Sequence, residues 1–282
     1  MTKRLIAALV VAAAACWAAV LPARGQDSAL SFGVITQRSP VLTAQYWNPI
    51  LRYVSDRSGV PLRLKLARTG SEHSEMIGRG EFDFIYSNHN FNAKNDAVGY
   101  RVIARPIEAA IMGQLVVPAD SPVQNIKELD GKEVVFPSKA AFVGYYVPMD
   151  ALLQAGVRVK PLFAGNQEGA MGQLKSGRVP AAGVNSQIMR DYAEREGFAY
   201  RVLWNSEPYL NIPISAHPSI PAAKVKAVQS AFVGMAADPE GAQILAASAR
   251  LIKQQPPFGF IVSSDKDFNN IRQFYRKALV KD

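Results

Sequence analysis

From Ser74 to Phe91 the chain runs helix, glycine stop, apolar strand and polar turn, and this unit constrains the fold more than any other stretch. Met76 and Ile77 close a short amphipathic helix, and Gly78-Arg79-Gly80 ends it, because glycine readily takes the positive φ of a helix cap. Phe82, Phe84, Ile85 and Tyr86 then form a short apolar run, the pattern of a strand buried between helices. The run stops at Ser87-Asn88-His89-Asn90, where a further helix can start. In an open α/β sheet ligands bind at the carboxyl ends of strands, so this unit places a polar, uncharged surface at a binding position. The same grammar recurs 97 residues later: helix Met171 to Lys175, stop Ser176-Gly177, apolar Val179 to Val184, then Asn185-Ser186-Gln187. Two readings stand side by side. Either two similar lobes face each other across a cleft, or the units are the helix–glycine–strand repetition common to any α/β protein.

The amino terminus sets the compartment. Lys3 and Arg4 precede an apolar run from Leu5 to Leu21, and Pro22-Ala23-Arg24-Gly25 follows. A positive head, an apolar middle and small residues at the end make a secretion signal over residues 1–25, with cleavage after Gly25. The apolar run is short and largely alanine, a poor membrane span. Cys16 is the only cysteine, and Ala13 stands where a lipoprotein signal carries a larger aliphatic residue. It therefore reads as part of the apolar segment, with a lipid anchor as the lesser alternative. The exported chain then has no disulfide, and its stability rests on a packed core. With 282 residues, 49% of them hydrophobic and 20% charged, one or two domains can supply that core. Removing Lys3, Arg4 and Arg24 takes 32 basic residues to 29 against 23 acidic, a net +6 in place of +9. These charges are scattered and no aromatic–basic motif accompanies them, so nucleic acid is not an expected partner.

Taken in order, Leu30 to Ile35 reads as a strand, and Ser39 with Pro40 opens a helix whose buried face is Leu42, Tyr46, Ile50 and Val54, ending at Gly59. Leu62, Leu64 and Leu66 alternate with basic residues as a half-exposed strand. Tyr100 to Ala104 and Ile111 to Val117 are further strands, and Pro118 to Pro122 marks a crossing to a second series. That series holds strands Glu133 to Phe136, Val159 to Phe163 and Tyr200 to Trp204, with helices Gly144 to Ala155 and Gln187 to Glu196. Ser206 to Pro218 reads as the return crossing. Helices Ala222 to Ala237, Pro239 to Ala247 and Asp265 to Val280 finish the chain.

Motifs for catalysis are missing. The three histidines, His73, His89 and His217, form no His-Glu-x-x-His and have no cysteine to share a metal, so no metal is expected. There is no Gly-x-Ser-x-Gly elbow, and Gly78-x-Gly80 precedes a strand rather than a helix. Gly165-Asn166-Gln167-Glu168-Gly169 resembles an anion-cradling loop, though Glu168 would repel a closely bound anion. No paired carboxylates are expected at the cleft. The chain does not read as an enzyme and implies no cofactor.

An exported chain with Phe32-Gly33-Val34-Ile35, Gly80-Glu81-Phe82-Asp83-Phe84, Gly144-Tyr145-x-x-Pro148 and Arg201-Val202-Leu203-Trp204-x-Ser206 resembles the substrate-binding proteins of phosphate/phosphite/phosphonate ABC transporters. The resemblance covers the chain from about Ser28 to its end. It implies an α/β protein with the type 2 periplasmic-binding fold, two lobes with a ligand between them and two crossover strands. Lobe one would comprise residues 26–117 and 214–282, and lobe two residues 118–213. It implies a monomer in the periplasm that binds a small molecule and delivers it to an inner-membrane permease. The family's contacts do not all carry over. Its Ser-Thr-Ser run before the Gly144-Tyr145 motif is Ala141, Phe142 and Val143 here, an acidic residue is Gln187, and a histidine is Gln167 or, one place earlier, Asn166. By spacing alone, an aspartate falls near Ile212 and a tyrosine near Ser71.

The expected cleft is lined by Arg38, Ser39, Tyr86, Asn88, His89, Ser138, Tyr145, Gln167, Asn185 and Gln187. Arg38 would pair with a ligand oxyanion, Tyr86 and Tyr145 would form flat walls, and the amides would add neutral hydrogen bonds. The other class of function compatible with these residues is a periplasmic sensor or adaptor acting on a membrane receptor.

Overall fold

The computed structural model describes residues 29–281; the secretion signal expected over residues 1–25, with Cys16, lies outside the described residues. Local signals set the elements. The helix Pro40–Ser58 starts where the Ser39 side chain accepts the Leu42 N–H, with Pro40 pre-set for the first turn. It ends at Gly59, which sits at φ 66°. Gly80 likewise takes φ 67°, two residues past the helix Gly70–Gly78. Among the described residues no helix is long and apolar enough to cross a membrane.

Eleven strands are described: β1 Leu30–Val34, β2 Leu62–Lys65, β3 Phe84–Tyr86, β4 Arg101–Pro106, β5 Gly113–Pro118, β6 Glu133–Phe136, β7 Lys160–Phe163, β8 Ala181–Asn185, β9 Tyr200–Asn205, β10 Ile214–Ala216 and β11 Phe260–Val262. They form two sheets, ordered β2-β1-β3-β10-β4-β11 and β7-β6-β8-β5-β9. In each sheet three parallel strands end against an antiparallel strand on the other side of a crossing: β10 beside β3, and β5 beside β8. The two apolar runs that opened the sequence argument therefore hold equivalent places, and the polar turns that follow both open into the space between the lobes.

Two expectations about chain path are corrected. The first crossing was placed near Pro118, but β5 pairs antiparallel with β8 and β9, so residues 113–117 lie in the second sheet and the crossing is 107–112. An apolar run states that a strand exists, not which sheet it joins. The return segment and tail also hide two strands, β10 and β11, each of three residues and thus too short for a periodic signal. The two crossings bond to each other, Ile111 and Tyr209 exchanging N–H···O=C bonds of 2.7 and 2.8 Å.

Separate apolar clusters lie under the first sheet, around Phe32, Trp47 and Phe232, and on the two faces of the second. A further cluster joins the lobes. The helix Asn269–Lys277 and its tail pack on Phe142, Tyr146 and Val147, while Phe91 and Phe268 stack at 5.3 Å. Arg272 holds Asp96 of the first lobe at 2.8 Å, and the Leu279 N–H donates to Asp150 of the second at 2.5 Å. The carboxyl-terminal segment, expected to belong to lobe one, touches both.

Candidate functional site

The lobes meet face to face. The Gly70 N–H donates to the Gly165 carbonyl, and the Glu168 N–H to that of Gln37, each at 3.1 Å. The Ser39 N–H reaches the Glu168 carboxylate at 3.2 Å, and Arg195 holds the same carboxylate at 2.6 Å. Glu168 is thus spent on closing the lobes rather than on repelling an anion. Two narrow cavities, of about 30 and 20 Å³, lie along this contact.

The smaller is lined by Asn88 and His89 of the first lobe and by Ser138, Gln167, Asn185 and the segment Ala141 to Gly144 of the second. Here the helix starts with a single π turn, Phe142–Tyr146, before Val147–Gln154, and both Tyr145 and Tyr146 donate to the Ala141 carbonyl. Such turns recur at functional sites. The amides of Phe142, Val143 and Gly144 are first-turn donors with no carbonyl behind them. Asn88 Oδ1 is buried without a bonded partner among the described residues, and the ring nitrogens of His89 are buried with at most a contact to the Gly70 backbone. Burial pushes His89 down to about 4, with the Gly70 backbone opposing, and pushes His73, 5.7 Å away ring to ring, well below its ordinary value. Both imidazoles are neutral at pH 7. Gln167 accepts the Asn185 N–H, and Asn185 caps the helix Ser186–Glu196, so these amides partly serve the fold.

The larger cavity is lined by Arg38, Tyr46, Trp47, Tyr86, Glu108 and Gln187, with Asn211 and Gln254. Glu108 is its centre. Gln187 donates to Glu108 Oε2 at 2.7 Å, Asn211 donates to the same oxygen, and Gln254 donates to Oε1. Asn211 also donates to Gln187 at 2.8 Å, and the Tyr46 hydroxyl to Gln254 at 3.0 Å. A carboxylate of the first crossing thus gathers amides from the return crossing, the second lobe and the tail. Burial raises its pKa, while the Gln187 bond and Arg38 oppose the rise.

Of the ten expected residues, Arg38, Tyr86 and Gln187 stand at the larger cavity and Asn88, His89, Ser138, Gln167 and Asn185 at the smaller. Ser39 and Tyr145 line neither: Ser39 is an exposed helix cap, and Tyr145 packs edge-on against Phe136 and Phe163. Arg38 does not stand free for a ligand, because Asp191 lies 3.6 Å from it. Burial lifts Asp191 to about 6, with Arg38 and Arg190 pulling it back. The expectation of no paired carboxylates at the cleft is also overturned by Glu108 and Asp191, which flank Arg38 from segments far apart in sequence. Tyr46, Trp47, Asn211 and Gln254 were likewise missed. A lone acid between Ile107 and Ala109 in a crossing segment was the available signal for Glu108.

The chain matches the family model for the periplasmic substrate-binding protein of phosphonate ABC transporters over residues 32–267. No curated protein sequence matches it. Among solved structures it is similar to a binding protein component of an ABC phosphonate transporter from Pseudomonas aeruginosa, with TM-score 0.73 and 16% identity over 87% of this chain and 85% of that one. PhnD1 from Prochlorococcus marinus, in complex with methylphosphonate, gives TM-score 0.73 and 18% identity over 88% and 97%. A Xanthomonas citri protein bound to chloride ion gives 0.70 and 15% over 88% and 96%. The fold is that of type 2 periplasmic binding proteins, two α/β lobes around a cleft, and the matched family is one of transport rather than of enzymes. With 236 of its 282 residues spanned by the family model, this chain belongs to the periplasmic substrate-binding proteins of the phosphonate ABC-transporter family.

Proposed function

We propose that the protein is exported by its amino-terminal signal, works as a monomer with an inner-membrane permease, and captures one small oxyanion-bearing ligand between its lobes. One observation carries this reading. The first-turn amides of Phe142 to Gly144 share a buried cavity with Asn88, whose Oδ1 lacks a partner, and with the neutral imidazole of His89. A ligand group there would satisfy polar atoms of both lobes at once and hold them together. The oxyanion sits at the amides in this reading, and Arg38 stays with Asp191.

The same geometry argues for weak binding of doubly charged phosphorus oxyanions. Phe142 turns its ring to Tyr209 and Phe274, and Ala141 and Val143 are buried and apolar. Side-chain hydroxyls are therefore scarce beside the amides. Charge-assisted hydrogen bonds contribute roughly 1.5–3 kcal/mol each, so two fewer weaken binding by about a hundredfold or more. Calorimetric titration of unfolded and refolded protein with methylphosphonate, phosphite and phosphate should give no submicromolar affinity. Submicromolar binding of any of the three would overturn this part of the reading and show that main-chain donors suffice.

A further inference from the structure

A cavity of about 450 Å³ adjoins the cleft on the crossing side, an order of magnitude larger than either cleft cavity and within the size range of small-molecule sites. Its wall combines the first crossing, the start of the helix Ser186–Glu196, β9 and the turn Gln255-Pro256-Pro257. Glu108 and Gln187 line both this cavity and the larger cleft cavity, and the 2.7 Å bond between them belongs to both walls.

Its chemistry differs from that of the cleft. Gln114 is 7% exposed, and its Nε2 is used on Asn205 at 2.8 Å, yet its Oε1 has no partner among the described residues. That oxygen is closed off from the cavity's open space, so Arg190 is the polar group a bound molecule can reach. Arg190 lines the same space with its side chain about half exposed, and its ion-pair contact is with Asp191, at a long 3.5 Å. The Glu108 carboxylate is satisfied by three amides. One cation and one anion thus offset each other in the lining, which disfavours a net ion. Ala109, Ala110, Met112, Pro256 and Pro257 supply apolar surface.

We propose that this cavity is a second ligand site, for a small uncharged molecule with an apolar body that carries a carbonyl-type acceptor for Arg190.

Nicotinamide has this chemistry and serves as the probe, with nicotinate as its charged counterpart. Calorimetry and saturation-transfer NMR on the mature protein should show nicotinamide binding with Kd of about 1 mM or tighter, a value reachable for nine heavy atoms. Arg190→Met should weaken it about fivefold or more, by loss of one hydrogen bond. Ala110→Phe, which fills the cavity from an exposed position, should abolish it, and melting curves will show that both variants fold. No binding at ten times that concentration, equal binding to all three proteins, or tighter binding of nicotinate would each overturn the proposal. None of these readouts depends on which ligand the cleft takes.

Discussion

His89 shows what a residue's surroundings add to its type. Next to Asn88 at the end of an apolar run, it is legible in the sequence as a cleft residue, because strand ends are read locally. That it is neutral and ring-to-ring with His73 is not legible, since those properties come from burial and tertiary packing. The linkage sign follows from the shift. Folding holds His89 at about 4, so as pH falls below the ordinary 6.5 the unfolded chain binds a proton that the folded one does not, and stability declines. Asp191, raised to about 6, works in the opposite direction over much of the same range. A comparison of wild type with His89→Gln cancels the Asp191 contribution. Between pH 7 and pH 4 the variant should lose less stability than wild type, by about 1–3 kcal/mol. Urea melts at pH 7, 5.5 and 4 will decide, and parallel losses would mean that His89 reaches solvent in the folded protein.

Elements followed the sequence where their signal was local. The Ser39-Pro40 start, the glycine stops and the strands from β1 to β3 and β6 to β8 could be read in place, and their parallel order followed from helix–strand alternation. The first crossing could not, because its pairing, Ile111 with Tyr209, joins residues 98 positions apart. Glu108 became a hub for the same reason: its three amide partners are brought to it only by the finished topology. Substituting Glu108→Gln turns one acceptor oxygen into a donor facing another donor, which costs about 2–3 kcal/mol in lost charge-assisted bonding. Relief of a buried charge returns part of this, as the raised pKa of Glu108 implies. The net expectation is a melting temperature lower by roughly 5 °C, since 1 kcal/mol shifts a chain of this size by about 2–4 °C. An unchanged or higher melting temperature would show that burying the charge outweighs its hydrogen bonds.

On the scale of the whole molecule, the repeated grammar left two lobes as one of two readings and the family resemblance selected it, while the contacts that close the lobes were not legible. Capture of a ligand in cavities as narrow as 30 and 20 Å³ requires the lobes to part and close again about the crossings at 107–112 and 206–213. Small-angle scattering should therefore give a smaller radius of gyration with saturating cleft ligand than without, and an identical radius would argue that the closed form persists unliganded. The direction of that motion is restricted by the carboxyl-terminal segment, where Arg272 holds Asp96 on one side and Leu279 meets Asp150 on the other. Two bodies tied at two neighbouring points can still swivel about the line between them. A third tie set off that line removes the swivel and leaves one path, as a door hung on pins swings but does not twist. The last residues of the chain thereby act as a guide rail, so that each closure brings the same amides back to the same side chains.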